Sequence, residues 1–213
     1  MKRTPVKFAR RVTTAAALGL LTLGLTACGD SAEDEAGSPA PPPTGAAATT
    51  EPGTTVDQTH NEADTEFAQM MIVHHEGAIE MADLAIENAD TEQVRTLAEN
   101  ISAAQGPEIE KMTSWLRAWA EDMVSEHGGM DHGGMQMDGM SQEEAMTELR
   151  SLSGAEFDGR FLELMIEHHL GAVEMAQSEL ENGENPQARQ LAEQIIQDQQ
   201  SEISVMEQML QQS

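Results

Sequence analysis

Residues 67–82 read FAQMMIVHHEGAIEMA, and residues 161–176 read FLELMIEHHLGAVEMA, so one segment occurs twice in the chain. The match extends further: residues 67–116 align with residues 161–210 without a gap, and 23 of the 50 aligned pairs are identical. Self-similarity at a constant spacing is typical of a repeated structural unit. The chain is therefore built on two copies of one unit, 94 positions apart.

Each unit is predicted to form two helices. Apolar residues recur at steps of three and four over residues 67–85, and acidic residues occupy the opposite face, as in an amphipathic helix. Residues 88–90 break the pattern, and a second apolar stripe follows over residues 94–116. Strand patterns are absent from the sequence. The predicted fold is all-α, an antiparallel four-helix bundle made of two duplicated helical hairpins.

Two local signals refine this prediction. Pro107 lies inside the second apolar stripe and is expected to kink that helix, because proline lacks an amide donor. Ser141 followed by Glu144 has the spacing of a capping box, which predicts a short extra helix before Gly154.

The N-terminus has the pattern of an export signal. Five basic residues within the first eleven precede an uncharged run over residues 12–27, which ends in Leu25-Thr26-Ala27-Cys28. This ending resembles a lipobox, so residues 1–27 are predicted to be a lipoprotein signal peptide and Cys28 the lipidated residue. A transmembrane anchor is the alternative, but a run of about 16 residues is shorter than the ~20 that a span needs. We therefore expect an exported protein anchored to the outer face of the cell membrane.

Composition divides the rest of the chain. Residues 28–61 are rich in Pro, Ala and Thr and are predicted to be a disordered tether. Residues 62–213 are predicted to be the bundle domain, with the first hairpin at 62–122, a Met/His-rich loop at 123–141 and the second hairpin at 142–213.

Charge and cysteine content exclude several kinds of protein. The whole chain has a net charge of −27, and removal of the five basic residues of the signal leaves a value near −32. Such a surface repels nucleic acid and attracts cations. Cys28 is the only cysteine, so disulfides and thiolate metal sites are excluded and any soft-metal chemistry falls to methionine and histidine.

The repeated histidine pair is the first candidate metal site. Both histidines of each unit fall on the apolar stripe, where an imidazole needs a hydrogen-bond partner or a metal. Carboxylate-bridged di-iron bundles require Glu-x-x-His pairs, whereas here a methionine stands three residues before the pair. Thioether and imidazole ligands favour Cu(I) over iron. The candidate ligands are Met71, His74, His75 and Met81, and in the second unit Met165, His168, His169 and Met175. Core histidines that bind no metal are the alternative.

The loop between the units is the second candidate site. Glycines separate its imidazole and thioether groups, so the chain is free to wrap a small ion. These donors favour Cu(I) or Ag(I), and the imidazoles also suit Cu(II) or zinc. A flexible linker with incidental methionines is the alternative. The candidate ligands in the loop are His127, Met130, His132, Met135, Met137 and Met140.

The two segments quoted at the outset, with the spacing Phe-x3-Met-x2-His-His-x2-Ala-x2-Met-Ala, resemble domain-of-unknown-function family 305 (DUF305). The resemblance covers roughly residues 62–211. It implies a ferritin-like bundle outside the cytoplasm, and the studied members imply copper binding and copper resistance. By this resemblance the histidines and methionines of the two segments are candidate copper ligands.

Together these patterns favour a membrane-tethered protein that buffers, sequesters or hands over copper outside the cytoplasm. No activated nucleophile or phosphate-binding loop is recognisable, so no catalytic residue is assigned. The sequence does not identify a protein partner. Two other classes stay open: a metal-dependent redox enzyme of the cell envelope, and a metal-free envelope interaction module.

Overall fold

The computed structural model describes residues 55–123 and 139–212. These ranges contain five helices: α1 (Glu62–Asn88), α2 (Glu92–Trp119), α3 (Gln142–Ser151), α4 (Gly154–Asn182) and α5 (Pro186–Leu210). No strand occurs in them. Nor does any helix of these two ranges combine the length and hydropathy that crossing a bilayer requires.

Local signals account for the helix ends. The Ser141 side chain accepts a hydrogen bond from the Glu144 amide and Glu144 caps the Ser141 amide in return, which confirms the predicted capping box and the short helix α3. Helix α1 ends at Asn88, where the apolar periodicity breaks. Helix α2 continues through Pro107, so the proline does not end the helix; the kink itself stays a prediction.

The long helices form two hairpins, α1 with α2 and α4 with α5, and the hairpins join mainly through α1 and α4. The N-terminal half of α1 packs with the C-terminal half of α4, so these two helices run antiparallel. Helix α3 rests on α1 and α4. The predicted antiparallel bundle of duplicated hairpins is confirmed.

The core consists of two apolar clusters with a polar layer between them. The first cluster includes Met81 and Phe161, and the second includes Met71 and Trp115 at the other end of the bundle. In each long helix, buried polar residues lie between the stretches that enter the two clusters. We call this set the histidine layer, and each member is at most 3% exposed: His74, His75, Gln105, His168, His169 and Gln199.

Because two apolar clusters form without the histidine layer, we expect the bundle to fold without metal. Burial of apolar surface contributes about 25 cal/mol per Å². Chelator-treated protein should give a strongly helical circular dichroism spectrum and a cooperative thermal melt. A random-coil spectrum that becomes helical only after metal is added would contradict this prediction.

Two buried carboxylates at equivalent positions of the repeat tie the hairpins together. Asp158 of α4 accepts hydrogen bonds from the Asp90 and Thr91 amides, both at 2.9 Å, in the connection between α1 and α2. Asp64 of α1 accepts hydrogen bonds from the Glu184 amide at 3.2 Å and the Asn185 amide at 2.8 Å, in the connection between α4 and α5. Each hairpin thus holds the loop of the other.

Residues 55–61, which we call the strap, lie against one end of the bundle. Trp119 donates its indole N–H to the Asp57 carbonyl at 2.8 Å, and the Asn185 side-chain amide donates to the Thr59 carbonyl at 2.7 Å. The ring of His60 stacks on Trp119 with centroids 4.5 Å apart. The strap falls within the predicted tether, residues 28–61, and these contacts pack this part of it against the bundle.

Candidate metal centre

Two histidines from different hairpins meet at the middle of the bundle. The rings of His74 (α1) and His168 (α4) stack with centroids 3.7 Å apart and planes 21° apart. His168 Nε2 lies 2.9 Å from the His74 carbonyl oxygen. A carbonyl only accepts, so Nε2 carries the proton and Nδ1 of the neutral ring has a lone pair. Burial lowers the pKa of His168 to about 3, helped by repulsion from His169 and His75, so the ring is neutral at physiological pH.

The other histidine of each pair contacts a carboxylate on its own hairpin. His75 Nε2 lies 2.8 Å from a Glu108 oxygen, and His169 Nε2 lies 2.7 Å from a Glu202 oxygen. Both histidine side chains are fully buried, whereas the glutamates retain some exposure to solvent. Glu108 and Glu202 are equivalent in the repeat, so the same histidine–glutamate contact is built twice.

Three of these rings share an unsatisfied nitrogen. Within the described residues, Nδ1 of His75, His168 and His169 is buried and has no hydrogen-bond partner. A buried polar atom without a partner costs about 1–3 kcal/mol. An atom with this cost, repeated at equivalent sites, indicates that a further group belongs there. Lone pairs of neutral imidazoles are suited to a metal cation.

The candidate methionines lie on both sides of the histidine layer. Met71 belongs to the second apolar cluster, while Met81 and Met165 belong to the first, and all three are fully buried. Met175 is partly buried against the second cluster. Thioethers are therefore present next to the imidazoles on either side, which suits a soft cation such as Cu(I) or Ag(I).

Nitrogen and oxygen ligands alone do not make a site here. Among the residues that the structure describes, no three His, Cys, Asp or Glu side chains are grouped so as to hold a metal ion. The lone pairs of an imidazole lie in its ring plane, so the stacked rings of His74 and His168 do not direct their nitrogens at a common point. A metal in this layer needs thioether ligands or a rotation of one ring.

The loop candidates are mostly outside the described residues: His127, Met130, His132, Met135 and Met137. The same holds for Cys28. Met140 is described, and its side chain is partly buried against the first apolar cluster.

Sequence reasoning missed the partners of the histidines. Glu108 and Glu202 are identical in the aligned repeats, and so are Gln105 and Gln199 of the histidine layer. Identity of a polar residue in both copies was the available signal. Its meaning emerges only from the packing, which brings each glutamate onto a histidine 33 residues earlier in the chain.

Comparison with known proteins gives a consistent family match. A family model described as a domain of unknown function, DUF305, matches residues 64–210. The crystal structure of a DUF305 protein from Streptomyces coelicolor is 37% identical, and the match covers 70% of this chain and 93% of that chain with a TM-score of 0.64. A DUF305 fragment from Deinococcus radiodurans is 30% identical over 72% of this chain and 98% of that chain, also with a TM-score of 0.64.

A third solved structure is a protein named CopM in a Cu(II)-bound form. It is 35% identical, and the match covers 70% of this chain and 96% of that chain with a TM-score of 0.60. CopM structures in Cu(I)-bound and silver-bound forms match as well. The comparison with curated protein sequences returned no match.

Proposed function

The chain belongs to the DUF305 family, and we propose that it is an extracytoplasmic copper-binding protein that buffers, sequesters or hands over copper at the cell surface. One observation carries the proposal: three buried imidazole Nδ1 atoms in the middle of the bundle have no hydrogen-bond partner among the described residues. The copper- and silver-bound forms of CopM, at 30–35% identity, support this choice of ion.

The ligand chemistry favours Cu(I). The histidine layer offers imidazole nitrogens, and the flanking Met71, Met81, Met165 and Met175 offer thioethers, a set that suits Cu(I) and Ag(I) best and Cu(II) or zinc less well. A net charge near −32 on the mature chain also attracts cations to the protein.

We expect two classes of copper site, a tight one in the bundle and a readily exchanging one in the loop. A scaffold of packed helices holds its ligands in place, whereas a glycine-rich loop loses entropy when it orders around an ion. Replacement of the four histidines of the bundle by alanine should abolish the tight class. Replacement of the loop residues His127, Met130, His132, Met135 and Met137 by serine should lower the number of bound ions and leave the tight class.

The measurement is a competition titration with a chromophoric Cu(I) chelator, with circular dichroism to verify that each variant is folded. If the fourfold histidine variant does not fold, the single variant His168→Gln takes its place. Loss of all copper binding in the loop variant would contradict a copper site in the bundle and restrict copper binding to the loop, because the histidines would then be structural.

Two other functions predict different results. A metal-free interaction module uses the contacts His75–Glu108 and His169–Glu202 only for packing, so copper would leave its melting temperature unchanged. A redox enzyme would turn over an electron donor with copper bound, whereas a buffer or carrier would not. Thermal melts with and without Cu(I), and an oxidase assay of the copper-loaded protein, separate the three functions.

Lipid attachment at Cys28 is part of the proposal. The Leu-Thr-Ala-Cys ending of the apolar run motivates it. Cys28→Ala should move the protein from the membrane fraction to the soluble or secreted fraction, and the wild type should incorporate labelled palmitate. An unchanged membrane fraction in the variant, together with no label in the wild type, would exclude the anchor.

A further inference from the structure

Glu108 and Glu202 play a part that neither the repeat nor the family match assigns. We propose that these two carboxylates are positioning residues: each holds its histidine in the tautomer that carries the proton on Nε2, so that Nδ1 is the nitrogen that faces copper. The inference rests on the proposed copper binding and concerns His75 and His169.

The geometry favours one tautomer. An ionised carboxylate can only accept a hydrogen bond, and the Glu108 and Glu202 oxygens lie 2.8 Å and 2.7 Å from the Nε2 atoms of His75 and His169. In the neutral form of each ring, the proton is therefore on Nε2. Nδ1 then bears the lone pair, and in both rings it is buried without a donor among the described residues.

A third ring reaches the same state by a different contact. His168 donates a hydrogen bond from Nε2 to the backbone carbonyl of His74 at 2.9 Å, and its Nδ1 is again buried and without a partner in the described part of the chain. Two carboxylates and one carbonyl thus produce the same result. Agreement between different acceptors argues that the buried Nδ1 lone pair, which none of them uses, is the feature that matters.

This arrangement also determines where an ion can bind. Nδ1 is the ring nitrogen closer to the helix backbone, while Nε2 of His75 points to α2 and Nε2 of His169 points to α5. The glutamates therefore occupy the side of each ring that faces its own hairpin partner. An ion bound through Nδ1 would therefore lie on the side of each ring nearer its own helix, α1 for His75 and α4 for His169.

A carboxylate behind a ligating imidazole has two effects on a metal. It restricts rotation of the ring, and it makes the coordinating nitrogen more basic; loss of such a partner generally costs 10–100-fold in metal affinity. Replacement of Glu108 and Glu202 by leucine removes both effects. The amide oxygen of glutamine can still accept a hydrogen bond from Nε2–H. A glutamine variant therefore preserves the tautomer without the negative charge.

The test uses the full mature chain with ¹⁵N-labelled histidine. In the metal-free protein, the ring ¹⁵N shifts should show a protonated Nε2 and a bare Nδ1 for His75, His168 and His169. Addition of Ag(I), a diamagnetic substitute for Cu(I), should shift Nδ1 of the ligating rings. The double variant E108L/E202L should bind Cu(I) about 10–100-fold more weakly, with E108Q/E202Q between it and the wild type.

The matched control is E99Q/E193Q, because these exposed glutamates lie on the same two helices and are also equivalent in the repeat. This variant should bind Cu(I) like the wild type. A metal-induced shift at Nε2 would overturn the positioning role and leave copper binding intact. A protein whose imidazole nitrogens respond to neither Ag(I) nor Cu(I) would overturn both the positioning role and copper binding in the bundle. If the leucine variant unfolds, the tautomers of the metal-free protein and the Cu(I) affinity of the glutamine variant still test the positioning role.

Discussion

The variant Asp158→Ala is expected to lose about 3 kcal/mol in the free energy of unfolding. The Asp158 carboxylate is 6% exposed and accepts three hydrogen bonds, from the amides of Asp90 and Thr91 and from the Thr91 hydroxyl at 2.7 Å. Without it, the donors of Asp90 and Thr91 in the connection between α1 and α2 lose a charged acceptor, and a hydrogen bond to a charged group contributes about 1.5–3 kcal/mol. Because the same contact joins the two hairpins, their docking should weaken as well.

The measurement is chemical denaturation of the wild type and three variants. Asp158→Asn retains an acceptor oxygen but loses the charge, so it should lose about half as much as the alanine variant. Glu174→Ala changes an exposed carboxylate of the same helix and should differ from the wild type by less than about 0.5 kcal/mol. Equal stability of Asp158→Ala and Glu174→Ala would show that the reciprocal carboxylate contacts do not hold the hairpins together.

The second large effect is a gain of stability in Glu179→Gln. Glu179 is 2% exposed, and within the described residues neither carboxyl oxygen has a hydrogen-bond partner by geometry. It lies next to the backbone of Gly183, where a side chain would collide with it. Burial raises the pKa of Glu179 to about 8; the negative charge of Asp64 raises it further, and Arg189 partly opposes the shift.

The sign of the pH dependence follows from this shift. Between pH 4.5 and pH 8 the unfolded chain ionises Glu179, whereas the native protein retains the proton, so the native state loses stability as the pH rises. The stabilising contribution of protonated Glu179 is complete below pH 4.5 and is lost above pH 8. Glutamine stays neutral in both states, so Glu179→Gln should match the wild type near pH 4.5 and exceed it by several kcal/mol near pH 8.

Urea denaturation at pH 5 and pH 8 measures this difference. Glu181→Gln, an exposed residue two positions further along α4, is the matched control and should follow the wild type at both values. If Glu179→Gln has no greater advantage at pH 8 than at pH 5, then Glu179 is ionised in the native protein and its carboxylate has another partner.

Local features of the sequence were sufficient for the helices and for the family. The sequence of helix α1 has apolar residues at steps of three and four, and this pattern breaks at residues 88–90. Helix α3 begins at the capping box of Ser141 and Glu144. These signals depend on residues within about one helical turn of each other, so they can be recognised in the sequence alone. The duplication is likewise visible in the sequence, and it predicted two equivalent hairpins and placed His74 and His168 at equivalent positions.

Contacts between distant segments were decided only by the tertiary structure. The glutamate partners of His75 and His169 lie on neighbouring helices, and Asp158 caps a loop 67 residues away. The strap has the composition of a spacer, yet its carbonyls accept hydrogen bonds from Trp119 and Asn185. A periodic pattern shows which face of a helix is buried, but not which side chain of another helix it meets. That depends on how the two hairpins cross, and only the packed bundle brings the buried carboxylates and imidazoles within hydrogen-bond distance.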